Sequence, residues 1–310
     1  MGLSTSVLRP AILRVSSNPW FRRLVQARPG RAVASRFVAG ETLDDAMRTA
    51  RELDRRRIAA MLDHLGENVT TAEQAEAARH VYVAALKRVA PERDLDCAVS
   101  VKLTQIGLDL SADLCERNLR AILERADDAG VFVAIDMENH TYVDQTLDIV
   151  RRVHPAHPRI GVCLQAYLRR TEDDVFALPP GIRIRLVKGA YLEPPEVVLG
   201  SKREVDAAYC RLFATLLVRG HAVDVATHDP RLIEGVRRRV DDLEAGWSRV
   251  EFQMLYGVRR DLQAQLAGRG YPVRVYIPYG TEWYPYLTRR LAERPANVWF
   301  FLSNLVRTSR

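Results

Sequence analysis

The chain has 310 residues, 47% hydrophobic and 27% charged, enough for one large globular domain or two small ones with a substantial core. No apolar run reaches about 18 residues, so no transmembrane helix is expected. The four cysteines, Cys97, Cys115, Cys163 and Cys210, form no CxxC pair, which points to a reduced compartment and no structural metal.

The net charge of +7 is unevenly placed. Before Glu41 the chain carries Arg9, Arg14, Arg22, Arg23, Arg28, Arg31 and Arg36, with no lysine and no acidic residue. Removing these seven from the 46 basic residues leaves 39, equal to the acidic count, so the body is neutral. A nucleic-acid binder more often carries its basic patch on the folded body, and no nucleic acid is expected. Leu8, Ile12, Val15, Trp20, Phe21, Leu24 and Val25 among the arginines read as an amphipathic helix. Three readings stay open for it: contact with an anionic membrane surface, packing on the domain with its arginines in water, or an organellar transit peptide.

From 41 to 57, Leu43, Ala46, Met47, Ala50 and Leu53 mark a helix with one apolar face. Residues 1–57 are thus read as a basic arm with helices, and 58–310 as the catalytic domain. Within 58–310, short apolar runs alternate with longer amphipathic segments. Run 58–65 precedes a helix over 71–89 opened by a Thr-Thr-x-Glu cap signal. Runs 98–103, 131–135 and 160–164 precede helices over 111–129, 142–153 and 172–177. Runs 182–187, 222–226 and 250–255 precede helices over 204–219, 231–240 and 259–266. Run 273–277 leads through a turn at Pro278 and Gly280 into a last helix over 282–294.

Eight strand–helix cycles imply an all-parallel sheet, and eight is the number that closes a (β/α)8 barrel. An open doubly wound sheet would stop sooner and show a Gly-rich phosphate turn. Neither GxGxxG nor GxxxxGK[ST] occurs here.

Barrel enzymes place their chemistry at the C-terminal strand ends. Those ends carry Lys102, then Asp136 with Glu138, then Gln165 and Tyr167. The fifth runs Arg185-Leu-Val-Lys-Gly-Ala-Tyr191 and the sixth ends Thr227-His-Asp229. The seventh carries Glu251, Gln253 and Tyr256, and the eighth Arg274, Tyr276 and Tyr279. On the last helix Trp283, Leu287 and Leu291 form an apolar stripe, and Tyr286, Arg289, Arg290 and Glu293 a second one. Two adjacent arginines suit a carboxylate, whose oxygens pair bidentately with guanidinium forks; a solvated basic face is the alternative. Asp136 and Glu138 also read as cap or salt-bridge residues, or as a glycosidase carboxylate pair. His228 would be a metal ligand only with further ligands converging on it. The other histidines show no ligand spacing, so no metal is expected.

The stretch Arg185–Tyr191, with Ser100-Val-Lys-Leu103, Leu164-Gln-Ala-Tyr167, Ala226-Thr-His228, Glu251-Phe-Gln253 and Tyr286-Leu-Thr-Arg-Arg290, resembles the proline dehydrogenase family, most closely its short monofunctional bacterial type. The resemblance runs from about residue 39 onward and keeps the order of the motifs. It implies a distorted (β/α)8 barrel with additional N-terminal helices and with the last helix over the mouth. It also implies FAD, L-proline as substrate, hydride transfer to flavin N5 giving Δ¹-pyrroline-5-carboxylate, and a membrane quinone as electron acceptor. A separate pyrroline-5-carboxylate dehydrogenase is expected downstream, and the expected location is cytoplasmic, with peripheral contact to the inner face of the plasma membrane through the arm.

By position, Arg289, Arg290 and Lys102 would hold the proline carboxylate, and Tyr191, Leu255, Tyr276 and Tyr286 would wall the ring. Asp136 would stand near the substrate and its charged partners, and Arg185 would face the reactive flavin nitrogen. Met137, Gln165, Val187, Lys188, Gly189, Ala190, Thr227, His228 and Glu293 match cofactor-contact positions. Between Tyr191 and Asp206 the segment is short, so no adenosine contacts are assigned there. A hydroxyproline dehydrogenase, a flavin-free barrel using Lys102 or Lys188 as a Schiff base, and a non-catalytic proline sensor are the alternatives.

Overall fold

A computed structural model describes residues 34–66 and 69–293, the side chains of 289–293 excepted. The basic arm's first 33 residues therefore lie outside the described part. In chain order the regular elements are α1 (Leu43–Asp54), β1 (Ala59–His64), α2 (Ala72–Val89), β2 (Cys97–Val101), α3 (Ala112–Ala129), β3 (Val133–Ile135), α4 (Val143–Val153), β4 (Ile160–Gln165), α5 (Thr171–Ala177) and β5 (Arg183–Val187). Then come α6 (Lys202–Val218), β6 (Val223–Ala226), α7 (Pro230–Asp242), β7 (Val250–Leu255), α8 (Arg260–Gly268), β8 (Val273–Tyr279) and α9 (Trp283–Glu293).

The eight strands form one closed barrel in sequence order, every neighbouring pair parallel. Closure comes from β1 against β8, in register from Ala59 opposite Arg274 to His64 opposite Tyr279. The sequence expectation of a (β/α)8 barrel holds.

Alternation along each strand divides two environments. Ala60, Leu62, Val99, Val101, Val133, Ile135, Val162, Leu164, Ile184 and Leu186 belong to the large apolar cluster shared with the surrounding helices. Each fully buried aliphatic side chain of this kind contributes about 1.5–3 kcal/mol. The intervening positions face the barrel axis. There the apolar filling shrinks to Met61, Ala98 and Ala134, with Phe132 and Tyr276 against them. Barrel interiors are normally packed with branched aliphatics; this one is charged.

Local sequence explains the helix starts. Thr42 with Asp45 and Ser201 with Glu204 make reciprocal capping boxes at α1 and α6. At α2 the cap is Thr71 paired with Gln74, one residue later than the Thr70–Glu73 pair the sequence suggested.

Two further expectations need correction. Strand β8 does not turn at Pro278 but runs through it to Tyr279. Tyr276 O accepts from Tyr256 N on the β7 side, and Pro278, two residues on, points the same way. The β7 ladder has ended at Leu255 opposite Tyr276, so the missing N–H of Pro278 removes no strand pairing. Its carbonyl accepts instead from Ala39 N at 2.9 Å.

Glu251 and Arg274, read as mouth residues, lie one layer too low. They sit near the N-terminal ends of β7 and β8, where Arg274 bonds Glu251 at 2.8 Å, Asp96 at 3.0 Å and Ala60 O at 2.8 Å. This network closes the barrel floor.

Candidate active site

At the C-terminal mouth lies a cavity of about 610 Å³, within the usual range for ligand sites. Each proposed site residue with a described side chain lines it: Lys102, Asp136, Met137, Gln165, Arg185, Val187, Lys188, Ala190, Tyr191, Thr227, His228, Leu255, Tyr276 and Tyr286, together with Gly189. Arg289, Arg290 and Glu293 fall on α9, but their side chains lie outside the described residues.

The deepest part is an ion cluster to which six strands contribute, its four charged members coming from β1, β5 and the ends of β2 and β3. Lys102 Nζ donates to Asp63 Oδ1 at 2.7 Å and lies 3.4 Å from Asp136 Oδ2 and 3.3 Å from Tyr276 Oη. Asp136 also accepts from Ser100 Oγ at 2.8 Å, from Tyr276 Oη at 2.6 Å and from Arg185. Arg185 continues to Gln253 Oε1 at 2.8 Å.

Burial opposes the charge on Asp136, but Arg185 and Lys102, with the Tyr276 and Ser100 hydroxyls, hold its carboxyl below the ordinary range. Burial also works against the Lys102 ammonium. Asp63, Tyr276 and Asp136 outweigh that and keep its pKa well above the ordinary value. The Asp63 carboxyl is pushed up by burial, with Lys102 opposing and Asp136 adding to the rise. Both partners of the Lys102–Asp63 pair thus move upward. The ammonium is secured by a second carboxylate, whereas Asp63 has no second cation among the described residues.

The outer part is lined by a second group of paired charges. Lys188 Nζ lies 2.6 Å from Asp206 and 3.0 Å from Asp229, and Lys202 bonds the same Asp206. Asp229 is also the N-cap of α7, followed by Pro230 at the first helical position. His228 Nε2 accepts from Leu255 N at 2.9 Å, which leaves Nδ1 to carry the ring proton. At Gly189, φ is +119° and a Cβ would stand 2.1 Å from the Tyr167 ring, so packing alone demands glycine there.

The alternatives lose ground on this geometry. Glu138 accepts from Thr104 N at 3.1 Å and Thr104 Oγ1 at 2.7 Å, closing the loop after β2. It does not line the cavity opposite Asp136 as a glycosidase pair would. A Schiff-base lysine must be neutral to attack, and Lys102 is held protonated between two carboxylates.

Sequence reasoning missed Asp63, Lys202 and Arg259 in the lining. A charged residue ending the first apolar run, in Met61-Leu62-Asp63-His64, was the available signal for Asp63. Arg259 adopts a positive φ of 51° just before α8 and pairs with Asp261 at 2.9 Å, a placement no periodicity shows.

Comparison with known proteins gives a consistent result. The family model described as proline dehydrogenase matches residues 46–302. The chain is 40% identical over 304 residues to proline dehydrogenase 1 of Bacillus subtilis strain 168, covering 97% of this chain and 100% of that one. It is 40% identical over 306 residues to the proline dehydrogenase of Deinococcus radiodurans, covering 96% and 98%. Among solved structures it resembles proline utilization A from Bdellovibrio bacteriovorus inactivated by N-propargylglycine, with a TM-score of 0.81 and 26% identity. That match covers 85% of this chain and 33% of the longer one.

Proposed function

The chain belongs to the proline dehydrogenase family, and from that premise we propose that the mouth cavity binds L-proline beside FAD and serves its oxidation to Δ¹-pyrroline-5-carboxylate. The activity is that of a proline dehydrogenase, the first step of proline catabolism. The observation that carries the site assignment is the convergence of residues from the ends of all eight strands and α9 on one cavity.

The residues fit a flavin. Arg185 is buried and charged in the cavity wall, and Lys188, Thr227 and His228 bring polar groups to the same wall. When bound, the flavin would accept the hydride released from the substrate ring. Arg185, Val187 and Lys188 would line one side of it, with Gln165 and Met137 beside them. The positive charge of Arg185 suits a group that gains negative charge on reduction.

The substrate has a carboxylate, apolar methylenes and a secondary ammonium. Tyr276, Tyr286, Leu255 and Tyr191 would form the walls around the methylenes and restrict the ring to few orientations. The carboxylate needs positive charge, and the described lining offers none in excess. Lys102 and Arg185 face Asp63 and Asp136, Lys188 and Lys202 face Asp206 and Asp229, and Arg259 faces Asp261. Arg289 and Arg290 on α9 would supply the missing charge, with Lys102 as the third cation.

On the family resemblance we assign a membrane quinone as electron acceptor and a separate pyrroline-5-carboxylate dehydrogenase as the next enzyme. Residues 1–57 would form the arm with its helices, and 58–310 the catalytic barrel. No described helix is long and apolar enough to cross a membrane. Contact with the inner face of the plasma membrane would fall to the arm, and equal liposome binding with residues 1–33 removed would refute it.

The deciding experiment is the visible spectrum of the purified protein before and after anaerobic addition of L-proline. A flavin spectrum bleached by proline supports the reading. A colourless folded protein removes the cofactor, and a flavin spectrum that proline leaves oxidised removes the catalytic assignment.

A further inference from the structure

Asp63 is 1% exposed and lines the cavity, yet among the described residues its buried Oδ2 has no hydrogen-bond partner. Its other oxygen holds Lys102 at 2.7 Å. Asp136, the second carboxylate on the same ammonium, has Arg185, Ser100 and Tyr276 besides. The two carboxylates thus share one lysine unequally. A buried anionic oxygen with no donor is the costly state for a carboxylate, so Asp63 is the member of the cluster whose charge is least supported.

Among the described residues no other cation pairs with it. From β1 itself comes His64, whose ring burial and Lys102 keep toward the neutral form. From α2 comes Tyr82 and from β8 come Tyr276 and Tyr279, all pushed up by burial and therefore neutral phenols. Among the described residues, the largest charge effects on Asp63 come from Lys102 on β2 and Asp136 after β3.

We propose that Asp63 is a proton-taking positioning residue: when a ligand carboxylate reaches Lys102, a proton from solvent settles on Asp63 and leaves the ammonium to the ligand. The inference rests on the reading of Lys102 as a carboxylate partner. Three carboxylates around one ammonium repel each other, and the one lacking a second donor is the one that neutralises. The cluster by itself is neutral, with Asp63 and Asp136 against Lys102 and Arg185. Protonation of Asp63 gives it the single positive charge that a carboxylate ligand then cancels. The sign follows from linkage: a ligand that raises the pKa of Asp63 takes up a proton, and its affinity falls as pH rises through the titration of the free site.

The test is calorimetry on the oxidised holoenzyme with cyclopentanecarboxylate, a five-membered ring carboxylate with no nitrogen to oxidise. Titrations at one pH in buffers of different ionisation enthalpy report the protons exchanged. Wild type should take up close to one proton per ligand where Asp63 is ionised in the free enzyme, with affinity falling up to tenfold per pH unit there. In Asp63→Asn the uptake should vanish and the pH dependence flatten. In wild type alone, an infrared difference spectrum should gain a carboxylic-acid C=O band on binding, a readout that holds even if the variant does not fold. Binding without uptake, or the same uptake in Asp63→Asn, overturns the proposal and leaves the substrate reading intact. Failure of the probe to bind at all overturns both.

Discussion

Tyr276 Oη donates to Asp136 Oδ2 at 2.6 Å, so the phenol ring that walls the cavity is held by the same carboxylate that anchors Arg185. The Arg185 Cζ lies 5.2 Å from the centre of that ring. Ring, carboxylate and guanidinium therefore stand or move together. Tyr276→Phe keeps the ring but releases it from a charged acceptor, a bond of about 1.5–3 kcal/mol. Asp136 retains its other donors, so the fold should survive. We expect KM for proline to rise about tenfold, with kcat less affected, because the loosened wall costs orientation of the bound ring. Steady-state kinetics with an unchanged KM would show that the tether has no bearing on the site.

Asp224, the strand partner of Arg185, provides a pH test that reads stability and not turnover. It is buried beside Glu251 and paired with Arg183, and burial pushes its carboxyl up to about 6. Unfolded, it would titrate near the ordinary value of 3.8. Between those values the folded chain binds more protons than the unfolded one, so its stability falls as pH rises from about 4 to 6 and then levels off. The two-unit shift corresponds to at most about 3 kcal/mol. In Asp224→Asn this contribution disappears, since nothing is left to ionise there, and Arg183 is open enough to be hydrated. Urea unfolding of both proteins at pH 4 and pH 7 should show the difference moving in favour of the variant by up to that amount. A constant difference would contradict the assignment.

The barrel was readable because apolar runs of strand length alternate with 3.6-period segments over 58–293, eight cycles with no Gly-rich phosphate turn to favour an open doubly wound sheet. The site was readable for a related reason: a polar residue at the C-terminal end of a buried strand has nowhere to point but the mouth. Lys102, Asp136, Gln165 and Thr227 are cases of this. The same rule misplaced Glu251 and Arg274, since a polar residue early in a strand points to the axis as well, but at the floor. Which layer an inward residue occupies depends on strand stagger, and that is a property of pairing, not of any one segment. Arg259 was hidden because its position depends on a left-handed backbone angle. The charges' pairing was also hidden: Asp63 lies 39 positions from Lys102, and Arg185 49 from Asp136.

The segment 34–40 ties α9 to the barrel. Phe37 and Val38, with Ala34, pack against Leu65 and against Trp283, Tyr284, Tyr286 and Leu287. Its backbone crosses the turn after β7 at Gly257, where φ is +76° and a Cβ would stand 1.7 Å from Arg36 O. Phe37 is 3% exposed. Phe37→Ala should therefore remove about 3 kcal/mol from this small cluster. Because α9 carries Tyr286 into the cavity, the expected result is faster amide exchange along 283–288 with the barrel strands unchanged, and a raised KM for proline. Equal exchange in the variant would mean that α9 is held by other contacts.

The strongest test of the carboxylate clamp comes from charge balance. Each cation lining the described cavity already faces at least one aspartate, so beyond what a proton on Asp63 releases, affinity for an anionic ligand is expected from outside that set. Arg289 and Arg290 are adjacent on α9, three and four residues after Tyr286, which reaches the cavity. Arg289→Met keeps an apolar stem of similar length and removes the guanidinium fork. KM for proline should rise by about 10²-fold or more, since a charge-assisted bidentate contact is lost and the single Lys102 ammonium does not reproduce a guanidinium fork. The flavin spectrum and the melting temperature should stay near wild type, which separates loss of the clamp from loss of the fold. If KM is unchanged, the arginine face of α9 is a solvated surface and the carboxylate is bound by Lys102 alone.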